Sequence, residues 1–220
     1  MKLKTARLNG ITKIFLLLCL TLSVHGAFSQ IRIQSGLILS GGASQYYDYR
    51  KNAAFTTDKW VYLLDGNKKF DAAIGYKFRL LPAEKPFFVD LDVQAGYGQL
   101  KYGSWSGDLY AQPGMEPAIW ENITANCFRL SFNPTFNYKV YGGLYAGLGV
   151  EPSASLTFKS GDASNSFSTF DVPLTARAGY DFKYADVSFN YKYGFLDVMD
   201  TDYFSSGKVR RWQIQVFIPF

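Results

Sequence analysis

The chain has 220 residues, with 23 Lys and Arg against 18 Asp and Glu and a formal charge of +5. Four of the basic residues lie in the first 29 positions, so the remainder carries 19 basic and 18 acidic groups and gives no polyelectrolyte signal for nucleic acid. Without that leader the chain has no histidine and one cysteine, Cys127, which excludes an internal disulfide, Cys/His zinc sites and Ser-His or Cys-His catalytic pairs. We therefore expect no catalysis and no cofactor.

Residues 1–29 read as a cleaved secretory signal peptide, and residues 30–220 as one domain. A basic start up to Lys13 precedes an apolar run to about Val24, and Ala27 and Ser29 supply the small residues of a cleavage site. The run is about half the roughly 20 residues that a spanning helix needs, so a single-pass anchor is the weaker alternative. Cys19 follows Leu18, where a lipoprotein site uses a small residue, so we interpret it as an ordinary residue of the apolar run.

The rest of the chain alternates apolar and polar residues with period two, which places successive side chains on opposite faces of a strand. In FRLSFNPTFNYK, every second residue from Phe128 is apolar or proline, and the intervening residues are polar. Eight such segments are predicted, of about 9 to 13 residues each, near the length of a tilted bilayer-spanning strand. In chain order they are Ile31–Leu39, Phe70–Leu80, Phe87–Gly98, Phe128–Lys139, Leu144–Leu156, Phe170–Phe182, Val187–Phe195 and Trp212–Phe220.

The connections between these strands alternate in length. Short links are predicted at Leu81–Pro86, Val140–Gly143 and Lys183–Asp186, and long ones at Ala43–Lys69, Gln99–Thr124, Phe158–Thr169 and Leu196–Lys208. An all-β, eight-stranded antiparallel up-and-down transmembrane barrel with short periplasmic turns and long extracellular loops has this asymmetry. Three prolines inside predicted strands, Pro134, Pro152 and Pro173, each remove a ladder donor, so we expect bulges or strand ends there.

Alternation alone leaves open whether the apolar face meets lipid or, as in a soluble lipocalin-type barrel, an internal ligand cavity. Three features favour lipid. The apolar faces end in aromatic residues that can form two interfacial girdles, such as those at Phe70 and Phe78. The polar faces combine charges of both signs with glycines that give long side chains room in a narrow interior. The last strand carries large apolar residues at every second position back from Phe220.

These features resemble the small eight-stranded outer-membrane barrels of Gram-negative bacteria, the OmpA/OmpX-like group, and in style the outer membrane protein beta-barrel domain and PorT-like proteins of Bacteroidetes. The resemblance covers residues 30–220 and implies a monomer in the outer membrane, in contact with its lipid and lipopolysaccharide. It also implies that the barrel-assembly machinery reads the last strand. That assembly signal would comprise Trp212, Ile214, Val216, Ile218 and Phe220.

Inward charges in so narrow a barrel must be paired, because an unpaired buried charge costs several kcal/mol. We predict a lumen charge cluster of Arg129, Glu151 and Arg177 with Lys192 nearby. A second cluster near the periplasmic end is predicted to contain Arg79, Asp90, Asp92 and Lys139. Asp90 and Asp92 share a face, but with no histidine and with inward cations on neighbouring strands, ion pairing is favoured over acid/base chemistry.

Three roles remain open at this stage. The first is a structural or surface-interaction protein whose loop aromatics contact a partner, and the second is a narrow channel for ions or small solutes gated by Glu151. The third, implied by the PorT-like resemblance, is an accessory component of a secretion machine. The aromatic residues of the long loops are equally compatible with an interfacial belt; they are Tyr46, Tyr47, Tyr49, Trp60, Tyr62, Trp105, Tyr110, Trp120, Tyr203 and Phe204.

Overall fold

The computed structural model describes residues 31–51, 68–106, 119–159, 162–182, 184–198 and 204–220. The predicted signal peptide lies outside the described residues. All regular structure in the described ranges is β, in ten segments. They are β1 (Ile31–Lys51), β2 (Lys69–Pro82), β3 (Phe87–Ser106), β4 (Ile119–Tyr141), β5 (Leu144–Val150), β6 (Ser153–Lys159), β7 (Asp162–Asp171), β8 (Leu174–Asp181), β9 (Asp186–Tyr193) and β10 (Phe204–Pro219).

The ten segments form eight antiparallel strands that close on themselves. β5 and β6 run in line along β4, and β7 and β8 run in line along them, so each of these pairs is one interrupted strand. Every strand pairs with its neighbours in sequence, and β1 closes the ring by pairing with β10 over a register that includes Leu37 with Ile218. The fold is therefore the predicted eight-stranded up-and-down barrel, which has no free sheet edge.

One end of the barrel, here called the turn end, carries both described termini, the short turns at 83–86 and 142–143, and the short connection from Asp181 to Asp186. The opposite end is called the loop end. There the strands continue beyond their predicted limits: β1 reaches Lys51, β3 reaches Ser106 and β4 begins at Ile119. The predicted long connection Phe158–Thr169 is largely strand as well, since β6 ends at Lys159 and β7 begins at Asp162. Beyond the apolar zone the outward residues no longer need to be apolar, so the alternation fades while the backbone still pairs.

The barrel is apolar outside and polar inside. Phe132, Leu174 and Ile214 point outward and are 43%, 49% and 59% exposed, respectively. The inward positions hold fully buried charges, of which Lys77 and Asp92 are examples. A soluble barrel with an apolar cavity would show the opposite arrangement, so the outward-apolar alternative that the sequence favoured is the observed one.

Two of the three strand prolines interrupt a strand. Pro152 lies in the break between β5 and β6, and Pro173 in the break between β7 and β8. Pro134, in contrast, lies inside an uninterrupted β4, where the expected bulge or strand end is absent and the prediction was wrong. Phe132 N donates to Pro152 O, so the backbone N of residue 134 also points toward the β5–β6 break. The donor that Pro134 lacks therefore faces a place where the ladder is already interrupted.

No helix in the described ranges is long and apolar enough to cross a membrane.

Candidate functional site

The site that the fold builds is the charged interior of the barrel. Inward positions of β2 carry Asp71, Lys77 and Arg79, and inward positions of β3 carry Asp90 and Asp92. The remaining strands contribute further charges that are almost fully buried. These are Arg129, Glu151, Asp171, Arg177, Asp186, Lys192 and Arg211.

The lower cluster lies toward the turn end and contains equal numbers of cations and anions. Its members are Lys77, Arg79, Asp90, Asp92, Arg177 and Asp186. Arg79 binds Asp90 with two nitrogens, Nε to Oδ1 at 2.7 Å and Nη2 to Oδ2 at 3.0 Å, and reaches Asp186 Oδ2 at 3.1 Å. Such two-pronged pairing suits the planar guanidinium group and satisfies both charges in a dry space.

Arg177 reaches across the lumen from β8 to the two aspartates of β3. Its Nη1 lies 2.9 Å from Asp90 Oδ2, and its Nη2 lies 2.6 Å from Asp92 Oδ2. The remaining nitrogen, Nε, donates to Asn190 Oδ1 at 2.6 Å. Lys77 completes the group, with Nζ at 3.2 Å from Asp90 and 3.7 Å from Asp92. The lower cluster thus ties together strands on opposite sides of the barrel.

Aromatic side chains pack around the lower cluster. The Arg79 guanidinium lies 4.4 Å from the Phe88 ring centroid and 5.2 Å from that of Phe217, in cation–π geometry. Tyr145 donates its hydroxyl to Asp186 Oδ1 at 2.7 Å, and its ring packs edge-on against Phe88. Phe88, Tyr145 and Phe217 are almost completely buried, so these rings shield the ionic groups of the lower cluster from solvent.

The upper cluster lies nearer the loop end and comprises Asp71, Arg129, Glu151, Lys192 and Arg211. Arg129 binds both oxygens of Asp71, at 3.1 and 3.2 Å. Glu151 is shared by three cations: it pairs with Lys192, accepts from Arg211 Nη2 at 3.3 Å and lies 3.8 Å from Arg129 Nε. Gln213 also donates to Asp71. Glu151 is therefore the anion on which three buried cations converge.

Two inward glycines of β3 make room for the Arg129–Asp71 pair. A Cβ at Gly96 would lie 2.9 Å from Arg129 Nη2, and a Cβ at Gly98 would lie 2.7 Å from Asp71 Oδ2. The Arg129 guanidinium and the Asp71 carboxylate therefore pack directly against the β3 backbone at Gly96 and Gly98. These contacts give a steric reason for glycines on the inward face.

The grouping of the charges differs from the sequence prediction in three respects. Arg177 belongs to the lower cluster, where it pairs with Asp90 and Asp92. The partner of Glu151 that was predicted to be Arg177 is instead Arg211. Lys139 stands apart from the lower cluster, with its Nζ 5.9 Å from the Phe88 ring centroid. The predicted neighbours Arg129, Glu151 and Lys192 do meet, and Arg79 meets Asp90.

Sequence reasoning missed Arg211 and Asp186. Arg211 has the same inward parity as Gln213 and Gln215, but it precedes the predicted start of the last strand at Trp212. Asp186 was assigned to a turn, although it is the first residue of β9. Extending the inward–outward alternation by one residue beyond each predicted strand would have placed both side chains in the lumen.

A small cavity of about 20 Å³ adjoins the upper cluster on its loop side. Its polar lining includes Asp71, Arg129, Asp171 and Arg211 together with several serine and threonine hydroxyls. The Nε atoms of Arg129 and Arg211 have no hydrogen-bond partner among the described residues. A space of this size and polarity suits one or two water molecules.

The chemistry available to these groups is ion pairing. Asp90 and Asp92 are both engaged by cations rather than forming an acid/base pair. Within the described ranges, no three His, Cys, Asp or Glu side chains lie together in a way that could hold a metal ion. Cys127 points inward, is buried and forms no disulfide.

Two aromatic belts encircle the outside of the barrel. At the turn end, Phe87 stacks on Phe136 at 5.5 Å, and Tyr180 contacts Phe182 at 4.7 Å between ring centroids. At the loop end, the equivalent pairs are Tyr97 with Phe128 at 5.2 Å and Tyr191 with Trp212 at 5.8 Å. Aromatic rings at two levels, separated by aliphatic side chains, are typical of the two interfaces of a bilayer.

The closed ring of eight strands, the apolar exterior between two aromatic belts and the ion-paired interior define an eight-stranded transmembrane β-barrel.

No protein-family model and no curated protein matches the chain. Among solved structures it is similar to Neisserial surface protein A, with 11% identity, a TM-score of 0.49, and coverage of 87% of this chain and 100% of that one. It is also similar to Ail, the attachment invasion locus protein of Yersinia pestis, solved with the heparin analogue sucrose octasulfate. That match has 14% identity, a TM-score of 0.43, and coverage of 86% of this chain and 99% of Ail. A backbone structure of Ail in a nanodisc matches with 16% identity, a TM-score of 0.34, and coverage of 86% and 100%.

Proposed function

We propose that this protein is an integral outer-membrane β-barrel of a Gram-negative bacterium, with a structural or surface-interaction role, no catalysis and a lumen closed by its own charged side chains. The observation that carries the proposal is the lower cluster. Three cations and three anions meet there across the barrel and are closed in by Phe88, Tyr145 and Phe217.

The apolar exterior supports the location. Unsatisfied backbone groups exclude open sheets from a bilayer, and this barrel satisfies its backbone by closure. The basic leader with its apolar run, predicted to be a cleaved signal peptide, supports export. Short turns beside both described ends of the chain, at 31 and 220, are the arrangement expected when that end faces the periplasm.

The last strand supports a role in assembly. Trp212, Ile214, Val216 and Ile218 lie on the outward face of β10, and Phe220, directly after the last residue of β10, continues this row. We propose that the barrel-assembly machinery reads this row, and that the mature protein is a monomer, because its ring of pairings is complete within one chain.

Conductance in planar bilayers tests the closed lumen. We expect no resolvable current from the folded wild-type protein, because the lower cluster blocks the lumen. The double variant Arg177→Ser with Asp92→Ser removes an ion pair as a unit, and we expect it to leak more than wild type. Wild-type channels that conduct as well as the double variant would contradict the proposal.

A narrow gated channel is the second candidate, and the polar cavity beside the upper cluster favours it. In this alternative Glu151 exchanges partners among Arg129, Lys192 and Arg211 and so opens a path past the upper cluster. Recording currents from Glu151→Gln tests the gate, and conductance identical to wild type would exclude it.

The surface-interaction role depends on the loop end. Tyr46 is buried, and Tyr47 donates to Gly194 O and contacts Tyr193, so these two residues stabilise the barrel rim. The side chains of the other loop aromatics lie outside the described residues. Co-purification from native outer membranes separates a single surface protein from a component of a secretion complex, the role that the PorT-like resemblance implies.

A further inference from the structure

A valley lies over β1 and β2 on the outside of the barrel. Its floor is formed by small residues, Ala43 and Gly41 of β1 and Ala72 of β2, and its walls by larger side chains such as Trp212, Ile214 and Phe70. The rows of register partners are Trp212, Ala43 and Phe70, then Ile214, Gly41 and Ala72, then Val216, Leu39 and Ile74. A Cβ at Gly41 would meet no heavy atom within 4 Å, so the floor is open.

The valley belongs to an apolar groove of about 730 Å³ that continues over Ala95 and Tyr97 of β3. Neighbouring strands lie about 4.8 Å apart, so β10 and β2 lie about 10 Å apart across β1. Part of that width is filled by the walls. The groove passes from Ile214 over Gly41 and Ala72 to Tyr97, and this space suits a hydrocarbon chain.

Two cations stand at the loop end of the valley, at the level of the upper aromatic belt. Lys68 Nζ lies 4.9 Å from the Trp212 ring centroid, and the Arg210 guanidinium carbon lies 5.3 Å from the same centroid. Arg210 also lies 5.5 Å from the Tyr47 ring. Both cations therefore contact the same indole ring of the valley wall.

No acidic side chain in the described ranges forms an ion pair with either cation. Arg210 donates from Nε and Nη2 to the neutral Gln45 Oε1, at 3.2 and 3.1 Å. The neighbouring Lys208, by contrast, is paired with Asp48. An anion bound beside this indole ring would be attracted by both cations and would accept charge-assisted hydrogen bonds from them.

We propose that this face binds a phosphorylated lipid of the leaflet at the loop end. Lys68 and Arg210 hold the phosphate, and one acyl chain lies over Gly41 and Ala72 beside Ile214. The charge of the two cations selects an anionic headgroup, their position beside the aromatic belt places it at headgroup depth, and the apolar valley below selects a lipid over a free anion. This site goes beyond the proposed role but depends on the proposed membrane location.

Native mass spectrometry of the folded barrel in detergent tests the site, with hexa-acyl diphosphoryl lipid A as the probe and its dephosphorylated form as the comparison. We expect the phosphorylated probe to bind at least tenfold more tightly. Lys68→Gln combined with Arg210→Gln is expected to remove that preference. Gly41→Leu fills the valley floor and is expected to weaken binding of both forms. Lys85→Gln, a charge loss in an exposed turn at the opposite end, is the matched control and should change nothing.

Equal binding of the two lipid forms, or unchanged binding by both the double variant and Gly41→Leu, would overturn the proposal. Competition by millimolar inorganic phosphate would also overturn it, because the site would then recognise a free anion. Failure of the membrane location is a separate result: the chain would then not fold into detergent micelles or vesicles at all. Each variant's folding is checked by its heat-dependent mobility on a gel before binding is measured.

Discussion

At the scale of single residues, the interior of this barrel is governed by the cost of an unpaired charge. Glu151 is fully buried and pairs with Lys192, Arg211 and Arg129, which come from three other strands. Removing one partner of a buried pair leaves the others uncompensated, which costs more than the pair itself contributes. The upper cluster therefore depends most strongly on its shared anion.

Replacing that anion tests this dependence. Glu151→Gln keeps the shape of the side chain but leaves three cations facing Asp71, so we expect it to lower the free energy of unfolding by about 3 kcal/mol. Urea unfolding in lipid vesicles, followed by tryptophan fluorescence, measures the change. Glu84→Gln, in an exposed turn, is the control and should stay within about 0.5 kcal/mol of wild type. A loss at Glu151 no larger than at Glu84 would mean that the upper cluster contributes little to stability.

At the scale of strands, the three prolines that the sequence places inside predicted strands lie at one level of the barrel. Pro152 and Pro173 lie in the two strand breaks, and the missing donor of Pro134 faces the first of them. The inward and outward faces nevertheless continue across both breaks, since Glu151 and Ser153 are buried on either side of the first and Asp171 and Thr175 on either side of the second. The breaks interrupt hydrogen bonding without exchanging the faces, so they do not disturb the lumen.

Restoring a donor at a break should therefore have little effect. Pro152→Ala supplies an N–H that can point toward Phe132 O, which adds about 1 kcal/mol to the free energy of unfolding. It also raises the conformational entropy of the unfolded chain, which lowers the free energy of unfolding by up to about 1 kcal/mol. We expect the free energy of unfolding to stay within about 1 kcal/mol of wild type. Leu148→Pro, which removes a donor inside the intact β4–β5 ladder, should cost more than that. Urea unfolding in vesicles measures both changes. Equal losses of unfolding free energy in the two variants would show that the β5–β6 break tolerates substitution no better than the intact ladder does.

At the scale of the whole molecule, polar and apolar residues are distributed in the reverse of the way they are in a water-soluble globular protein. Charges lie in its core, and large apolar side chains cover its outside between the aromatic belts. This distribution is stable only where hydrocarbon meets the exterior, because water would penalise so large an exposed apolar surface. The same distribution of side chains therefore determines both the fold and the need for a membrane around it.

A charge on the outside of the barrel should be penalised according to its depth. Leu174→Arg places a cation between the two belts and is expected to cost about 2 to 4 kcal/mol, whereas Tyr141→Arg, at the turn end, should cost about 1 kcal/mol or less. Folding free energies in lipid vesicles provide the measurement. If both variants lost the same amount, Leu174 would not face the hydrocarbon.

Much of the architecture is readable from local patterns. The period-two alternation predicted eight strands, their two faces and the short turns, and Pro152 and Pro173 predicted two interruptions. These features follow from the sequence because strand faces depend only on neighbouring residues along the chain. The loop-end extensions were missed, since paired backbone above the apolar zone carries no alternation.

The pairing of the charges depends on contacts that no local pattern contains. Arg177 and Glu151 were expected together because their strands are adjacent, yet Arg177 crosses the lumen to Asp90 and Asp92. The stagger of strands in a closed barrel sets which inward residues share a level, and long side chains then reach past their neighbours to partners on the far wall. Sequence alternation therefore determines which residues enter the lumen, whereas closure of the ring determines which of them meet.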